Sequence, residues 1–178
     1  ITPRTTGIIP VHIWGRPCDT NTIAEIAKEH GLKVLYDAAH AFSSRHNGTM
    51  IGNFGDAEVF SFHATKFINT FEGGAVVTNN DDLALKMRLM KNFGFHGYDN
   101  VIYIGTNGKM NEVSAAMGLA SLESLDDVIA VNRTNYHQYR EELSMIPGIS
   151  LVEYNQENLP NYQYIIIEVD ENLTHLSR

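Results

Sequence analysis

Cysteine is almost absent from this sequence, since Cys18 is the one thiol in 178 residues. A single cysteine cannot form an internal disulfide, which is typical of a protein in a reducing cytoplasm. Basic residues are also scarce, with 13 Lys and Arg against 21 Asp and Glu and a formal net charge of -8. Because no run of Lys or Arg interrupts this acidity, we expect neither a nucleic acid nor an anionic membrane as a partner.

Long apolar runs are missing as well. No stretch approaches the ~20 apolar residues that a membrane-spanning helix needs. The start, Ile1 to Arg4, is not followed by the apolar segment and cleavage site of a signal peptide. We therefore expect a cytoplasmic protein. Its 43% hydrophobic content is enough for one domain with an ordinary core.

The first part of the chain has the pattern of a strand–helix–strand unit. Residues 7–12 (GIIPVH) and 32–38 (LKVLYDA) are predicted strands. Between them, the carboxylate of Asp19 can accept hydrogen bonds from the first turn of a helix, and Gly31 can end that helix. Units with such short connections are almost always parallel and right-handed, so we expect two parallel strands.

The remainder of the chain alternates strand and helix patterns. Residues 57–62 and 74–78 are predicted strands, and the short loop between them favours an antiparallel pair. Residues 93–108 are rich in glycine and aromatics, and this length is typical of a functional loop. A late predicted strand, 163–169, has no obvious partner, which favours a chain that ends inside a second domain. Helices are predicted at 81–93, 110–125 and 127–146.

Three polar side chains follow the predicted parallel strands. Asp37 lies at the end of the second strand, Ser61 at the end of the third, and Lys66 five residues later. Ligands of open α/β sheets bind beyond the carboxyl ends of the strands. We therefore expect a carboxylate, a hydroxyl and an amine around one crevice.

Pyridoxal phosphate (PLP) requires these three groups. Its aldehyde forms an imine with a lysine amine, its pyridine nitrogen needs a carboxylate partner, and its phosphate needs hydroxyl and backbone N–H donors. Each residue also has a purely structural interpretation: Lys66 as a surface lysine, Asp37 as a turn residue, Ser61 as an in-strand serine. We expect no metal site, because Asp37 and His40 form only a minimal ligand pair.

Three longer stretches carry a resemblance to a known family: YDAAHAFSS (36–44), GNFGDAEVFSFHATKFINTFEGGAVVT (52–78) and GTNGKMNEVSAAMGLASL (105–122). They are similar to the DegT/DnrJ/EryC1/StrS sugar aminotransferases of fold type I. The resemblance implies an α/β fold that is the central part of the large domain, with a mostly parallel sheet flanked by helices and truncated at both ends. It implies a partial PLP-binding large domain at 1–146 and the start of the small C-terminal domain at 147–178.

The resemblance also implies a role for each site residue. Lys66 matches the lysine that binds PLP and moves the proton, and Asp37 matches the partner of the pyridine nitrogen. His40 stands where the family often has a glutamine against the cofactor, and Ser61 matches a phosphate ligand. Asn107 matches an asparagine that reaches the phosphate of the neighbouring subunit, which implies a homodimer with shared active sites.

The activity implied is transfer of an amino group from glutamate to a nucleotide-linked keto-deoxy sugar, in the synthesis of surface polysaccharides or antibiotics. The SFHATK stretch favours a 4-keto-6-deoxyhexose. Two rivals stay open: a truncated, non-catalytic remnant that folds and dimerises without tight PLP binding, and another fold type I PLP lyase.

Overall fold

The structure is a computed structural model and describes residues 1–176. Eight strands run in chain order: β1 (Gly7–Ile8), β2 (Lys33–Asp37), β3 (Arg45–His46), β4 (Thr49–Met50), β5 (Ala57–Ser61), β6 (Gly74–Val77), β7 (Ile149–Leu151) and β8 (Ile167–Val169). The helices are α1 (Thr20–His30), α2 (Asp81–Met90), α3 (Glu112–Glu123), α4 (Leu125–Leu143) and α5 (Glu171–Thr174).

The main sheet has four strands in the order β1-β2-β5-β6. Strands β1, β2 and β5 are parallel, and β6 runs antiparallel to β5. Both predictions, of a parallel strand–helix–strand unit and of an antiparallel fourth strand, are confirmed. The result is the expected α/β architecture with a mostly parallel sheet.

Helix α1 begins and ends where the sequence predicted. The carboxylate of Asp19 accepts from the backbone N–H of Thr22 at 3.0 Å and from its hydroxyl at 2.7 Å. Gly31 ends the helix in a left-handed conformation, with φ of 64°, which glycine adopts without a steric penalty. This helix carries the chain from β1 back to the start of β2.

Apolar side chains of the main sheet form two clusters. One joins Val34 and Tyr36 of β2 to α1, and the other joins Ala38, Ile51 and Phe60. A third cluster lies farther along the chain and consists of three tyrosines, Tyr136, Tyr154 and Tyr162, whose ring centroids are 5.2–5.3 Å apart. Two of the three ring pairs pack edge to face and the third is tilted, and these contacts attach the segment after β7 to helix α4.

Several predicted boundaries were wrong. The late strand does have a partner, because β8 pairs antiparallel with β7, and it is shorter than the predicted 163–169. The helices predicted at 81–93, 110–125 and 127–146 also end earlier than predicted, at Met90, Glu123 and Leu143. Each ends where the following turn interrupts the helical backbone hydrogen bonds. The last two residues of the predicted 147–178 segment lie outside the described residues, and the domain division stays a prediction. Within residues 1–176 no helix is both long and apolar enough to cross a membrane.

Candidate functional site

The carboxyl ends of β2 and β5 form one edge of the main sheet. Asp37 is the last residue of β2 and Ser61 the last of β5. The register places Asp37 beside Val59, and the N–H of Ala38 donates to the carbonyl of Val59 at 2.8 Å. The sheet therefore brings the predicted carboxylate and hydroxyl positions to the same edge.

The half-buried carboxylate of Asp37 is held by the backbone around it. Its Oδ1 accepts from the N–H of Ala39 at 3.0 Å. Its own N–H and carbonyl are bonded to Pro10 and His12, at 2.8 and 3.0 Å. Asp37 is thus immobilised at a strand end, which is the arrangement that a ligand-binding carboxylate requires.

His40 lies between the charges of Asp37 and Lys66. Its Nδ1 accepts from the N–H of Trp14 at 3.1 Å, so the proton of the neutral ring is on Nε2. Burial lowers the pKa of His40, the positive charge of Lys66 lowers it further, and the Asp37 carboxylate opposes both. His40 is therefore a neutral imidazole at pH 7, with an N–H donor on its free side.

The turn after β5 carries Lys66. The N–H of Lys66 donates to the carbonyl of His63 at 2.9 Å, which closes the turn. The side-chain amine donates to the hydroxyl oxygen of Tyr164 at 3.0 Å, and the Tyr164 ring packs on His40 with centroids 4.5 Å apart. His40, Lys66 and Tyr164 are therefore one contact group.

Sequence reasoning missed Tyr164. The residue is 98 positions from Lys66 in the chain, within a stretch that was interpreted as a strand. Its aromatic character was the available signal, but no local pattern links it to the lysine.

Ser61 and the turn behind it form hydrogen bonds with each other. The Ser61 oxygen accepts from the N–H of His63 at 3.3 Å, and the N–H of Thr65 donates to the His63 ring at 3.2 Å. The N–H groups of His63 and Thr65 are therefore bonded within the turn, and the role of Ser61 as a phosphate ligand stays a prediction. The hydroxyl hydrogen of Ser61 remains able to donate.

The glycines after the turn serve the sheet. A side chain at Gly74 would approach the carbonyl oxygen of Phe60 to 2.5 Å, and one at Gly73 would approach the Thr70 hydroxyl to 2.5 Å. These two positions therefore admit only glycine, because the backbone of β5 and the Thr70 side chain lie too close for a side chain.

Asn107 lies apart from the other predicted residues. It is exposed, in the long loop before α3, and forms an isolated bridge with Asn92. No hydrogen bond links it to Asp37, His40, Ser61 or Lys66 within residues 1–176. Its predicted role toward a neighbouring subunit stays a prediction.

A buried polar cluster adjoins the site and was not predicted. His12 and Glu58 are both fully buried, with Nε2 and Oε2 3.5 Å apart. The His12 ring stacks on Tyr36 at 4.9 Å and its Nδ1 accepts from the N–H of Cys18 at 3.1 Å. Burial raises the pKa of Cys18, which is typical of an unreactive, packed thiol.

The groups at the sheet edge fit PLP. A half-buried amine, an immobilised carboxylate, a neutral imidazole and a serine hydroxyl are the donor set that its aldehyde, pyridine nitrogen, ring and phosphate require. Among residues 1–176 there is no group of three or more His, Cys, Asp and Glu side chains that could hold a metal ion.

Comparison with known proteins places the chain within one family. The model of the DegT/DnrJ/EryC1/StrS aminotransferase family matches residues 1–178. The chain is 45% identical over 172 residues to a dTDP-4-amino-4,6-dideoxy-D-glucose transaminase of Shigella dysenteriae, covering 97% of this chain and 47% of the relative. It is 40% identical to a GDP-perosamine synthase of Caulobacter vibrioides, over 82% of this chain and 40% of the relative.

A solved structure has the same fold. The crystal structure of DesI in the presence of its TDP-sugar product superposes with a TM-score of 0.94 at 48% identity, covering 100% of this chain and 45% of that one. The chain therefore spans about half the length of the relatives it matches.

Proposed function

The chain belongs to the DegT/DnrJ/EryC1/StrS aminotransferase family, and from this premise we propose that the protein containing it is a PLP-dependent sugar aminotransferase. One observation carries the proposal. The amine of Lys66 lies in a contact group with the neutral imidazole of His40, whose pKa is lowered by burial and by Lys66 and raised by the strand-end carboxylate of Asp37. A solvated surface lysine would have no such surroundings.

Each residue then has a task. Lys66 would bind the cofactor through Nζ, and that amine, once released, would move a proton between the substrate carbon and the cofactor carbon. Asp37 pairs with the protonated pyridine nitrogen, and His40 donates its Nε2 proton toward the ring substituents. Ser61 donates its hydroxyl hydrogen to the phosphate. When bound, PLP supplies the electron withdrawal that makes the substrate carbon acidic.

The substrates follow from the relatives. The Shigella and Caulobacter proteins are named for a dideoxyglucose carrying dTDP and for GDP-perosamine. We propose a nucleotide-linked keto-deoxy sugar as the amino acceptor, with a 4-keto-6-deoxyhexose favoured, and glutamate as the donor. The reaction would serve the synthesis of polysaccharide or antibiotic amino sugars.

We further propose a homodimer with shared active sites. Asn107 is exposed and has no hydrogen bond to Lys66 among residues 1–176, which suits a residue that reaches the phosphate of a neighbour. Light scattering of the protein in solution measures the number of subunits, and a monomer that retains full activity would exclude this arrangement.

The free thiol of Cys18 supports a cytoplasmic location.

A second candidate is a remnant that folds without binding PLP tightly. The observation that favours it is the coverage of about half of each relative, because residues outside the matched half can be needed for affinity. A third candidate is a PLP lyase. Turnover of glutamate plus a keto sugar would favour the aminotransferase, and turnover of cysteine would favour the lyase.

The decisive experiment labels the lysine. The protein is incubated with PLP, reduced with borohydride and digested, and mass spectrometry locates the phosphopyridoxyl group. We expect it on Lys66, and we expect Lys66→Ala to lose it together with amino transfer, because the amine of Lys66 is the one in the contact group with Tyr164 and His40.

The matched control is Lys91→Ala, which removes an exposed lysine at the end of α2. It should leave attachment unchanged. Absence of the group from the unaltered protein would favour the remnant, and its presence on a different lysine would overturn the assignment of Lys66.

A further inference from the structure

The segment 154–164 carries Tyr164 onto the amine of Lys66. The distance from Nζ to the hydroxyl oxygen is 3.0 Å, and the amine also lies 5.7 Å from the centroid of the same ring. The Tyr164 ring contacts His40 on another side. One side chain therefore touches both the proposed catalytic lysine and the proposed cofactor-contacting histidine.

Two buried residues hold this segment in place. The side-chain amide of Asn161 is fully buried and donates to the carbonyls of His40 and Phe42, at 2.9 and 3.0 Å. The hydroxyl of Tyr154 lies 2.8 Å from the carbonyl of Tyr164 and 3.0 Å from that of Trp14. Both residues join the segment to the same loops that position Asp37 and His40.

The Tyr154 contact is available at neutral pH. Burial raises the pKa of Tyr154 to about 12, so its hydroxyl keeps its proton and remains a donor. The Tyr154 hydroxyl thereby fixes the backbone of Tyr164, which lies ten positions later in the chain. The fold therefore sets the direction in which the Tyr164 side chain points.

We propose that Tyr164 is a positioning residue for the amine of Lys66. Its hydroxyl holds Nζ on the side of the site that His40 occupies, so that the amine is aligned for the cofactor and then for the substrate. The inference rests on the proposed function, because alignment matters only if Lys66 carries PLP.

The physical reason is the freedom of a lysine side chain. Lysine has four rotatable bonds and loses conformational entropy when it is ordered. A fixed acceptor on a buried segment restricts that freedom before the ligand arrives, which is the usual way in which a supporting side chain improves a catalytic group.

Competitive acylation of the cofactor-free protein tests the contact directly. Acylation requires an amine with a free lone pair, so a hydrogen bond at Nζ slows it whichever partner holds the proton. We expect Tyr164→Phe, which keeps the ring and removes only the hydroxyl, to raise labelling of Lys66 about threefold to tenfold. Mass spectrometry reads each lysine separately, with Lys28 and Lys91 as internal references.

Lys86 and Tyr103 provide the matched control. There the lysine amine lies 5.4 Å from the tyrosine ring centroid, a distance close to that at Tyr164. Tyr103→Phe should leave labelling of Lys86 unchanged. Unchanged labelling of Lys66 in Tyr164→Phe would overturn the inference, as would an equal rise at Lys28 and Lys91, because that pattern reports general loosening.

Attachment of PLP provides the second readout. We expect Tyr164→Phe to reduce the borohydride-trapped phosphopyridoxyl group on Lys66 severalfold at limiting PLP. Failure of the unaltered protein to attach PLP overturns the proposed function, whereas attachment at the same level in the variant and the unaltered protein overturns only the role of Tyr164.

Discussion

At the scale of single residues, the buried side chain of Glu58 is held firmly by its surroundings. It lies in β5 and is fully buried, and its Oε1 accepts from the N–H groups of Gly52 and Phe54, at 2.8 and 2.6 Å. The other oxygen faces His12. This carboxylate therefore closes the loop before β5 and keeps the buried histidine compensated.

Removal of that carboxylate should be costly. We expect Glu58→Ala to lower the free energy of unfolding by about 3–5 kcal/mol, because it leaves two backbone donors and a buried histidine without an acceptor. Urea denaturation followed by fluorescence measures the change. Glu25→Ala, on the exposed face of α1, is the control, and equal effects of the two substitutions would contradict the structural role of Glu58.

At the scale of elements, α1 shows how a local signal positions a remote site. The helix joins β1 to β2, and the end of β2 carries Asp37. Its first turn depends on Asp19, whose pKa is lowered by the hydrogen bonds from the Thr22 hydroxyl and then from the Thr22 backbone. The cap therefore works in its ionised form.

Loss of the cap should be measurable and pH-dependent. We expect Asp19→Ala to lower Tm by about 2–4 °C at pH 7, whereas Asp19→Asn, which also caps helices, should be nearly neutral. Since the pKa of the folded form lies below the ordinary value of 3.8, the stabilisation exists above that pH and fades as pH falls below it. Thermal scans at pH 7 and pH 3 measure both effects, and a pH-independent difference would contradict an ionic cap.

At the scale of the whole molecule, residues distant in sequence complete the site. Asn161 bonds to carbonyls 121 and 119 positions away, and the three-tyrosine cluster packs the same segment on α4. The predicted start of the small domain thus contacts the predicted large domain at the lysine. Motion of this segment would change the surroundings of Lys66.

Asn161→Ala should loosen the segment without unfolding the sheet. It leaves the carbonyls of His40 and Phe42 unpaired in a buried position, at a cost of about 1–3 kcal/mol each. We expect the substitution to accelerate amide hydrogen exchange at residues 161–164 more than in β2 and β5, relative to the unaltered protein. Mass spectrometry measures the exchange of each segment. Asn135→Ala, exposed on α4, is the control, and a uniform rise across the chain would contradict a local opening.

Much of the fold was readable from the sequence. Local patterns predicted these elements correctly: the strand pattern of β2, the capping residues at both ends of α1, and the short loop before β6. The positions of Asp37 and Ser61 followed, because parallel strands present their carboxyl ends at one edge. The motif around Lys66 identified the family for the same reason: its residues are close in sequence.

Only the tertiary structure decided which distant groups meet. The partnership of β7 with β8, the burial of Glu58 against His12 and the contact of Tyr164 with Lys66 join positions that no periodicity or capping rule connects. Local sequence determines strands, turns and the ends at which functional groups lie, since those depend on neighbours within a few residues. Which long-range pairs form depends on burying the apolar faces of the whole chain together, and that balance is settled only when the chain has folded.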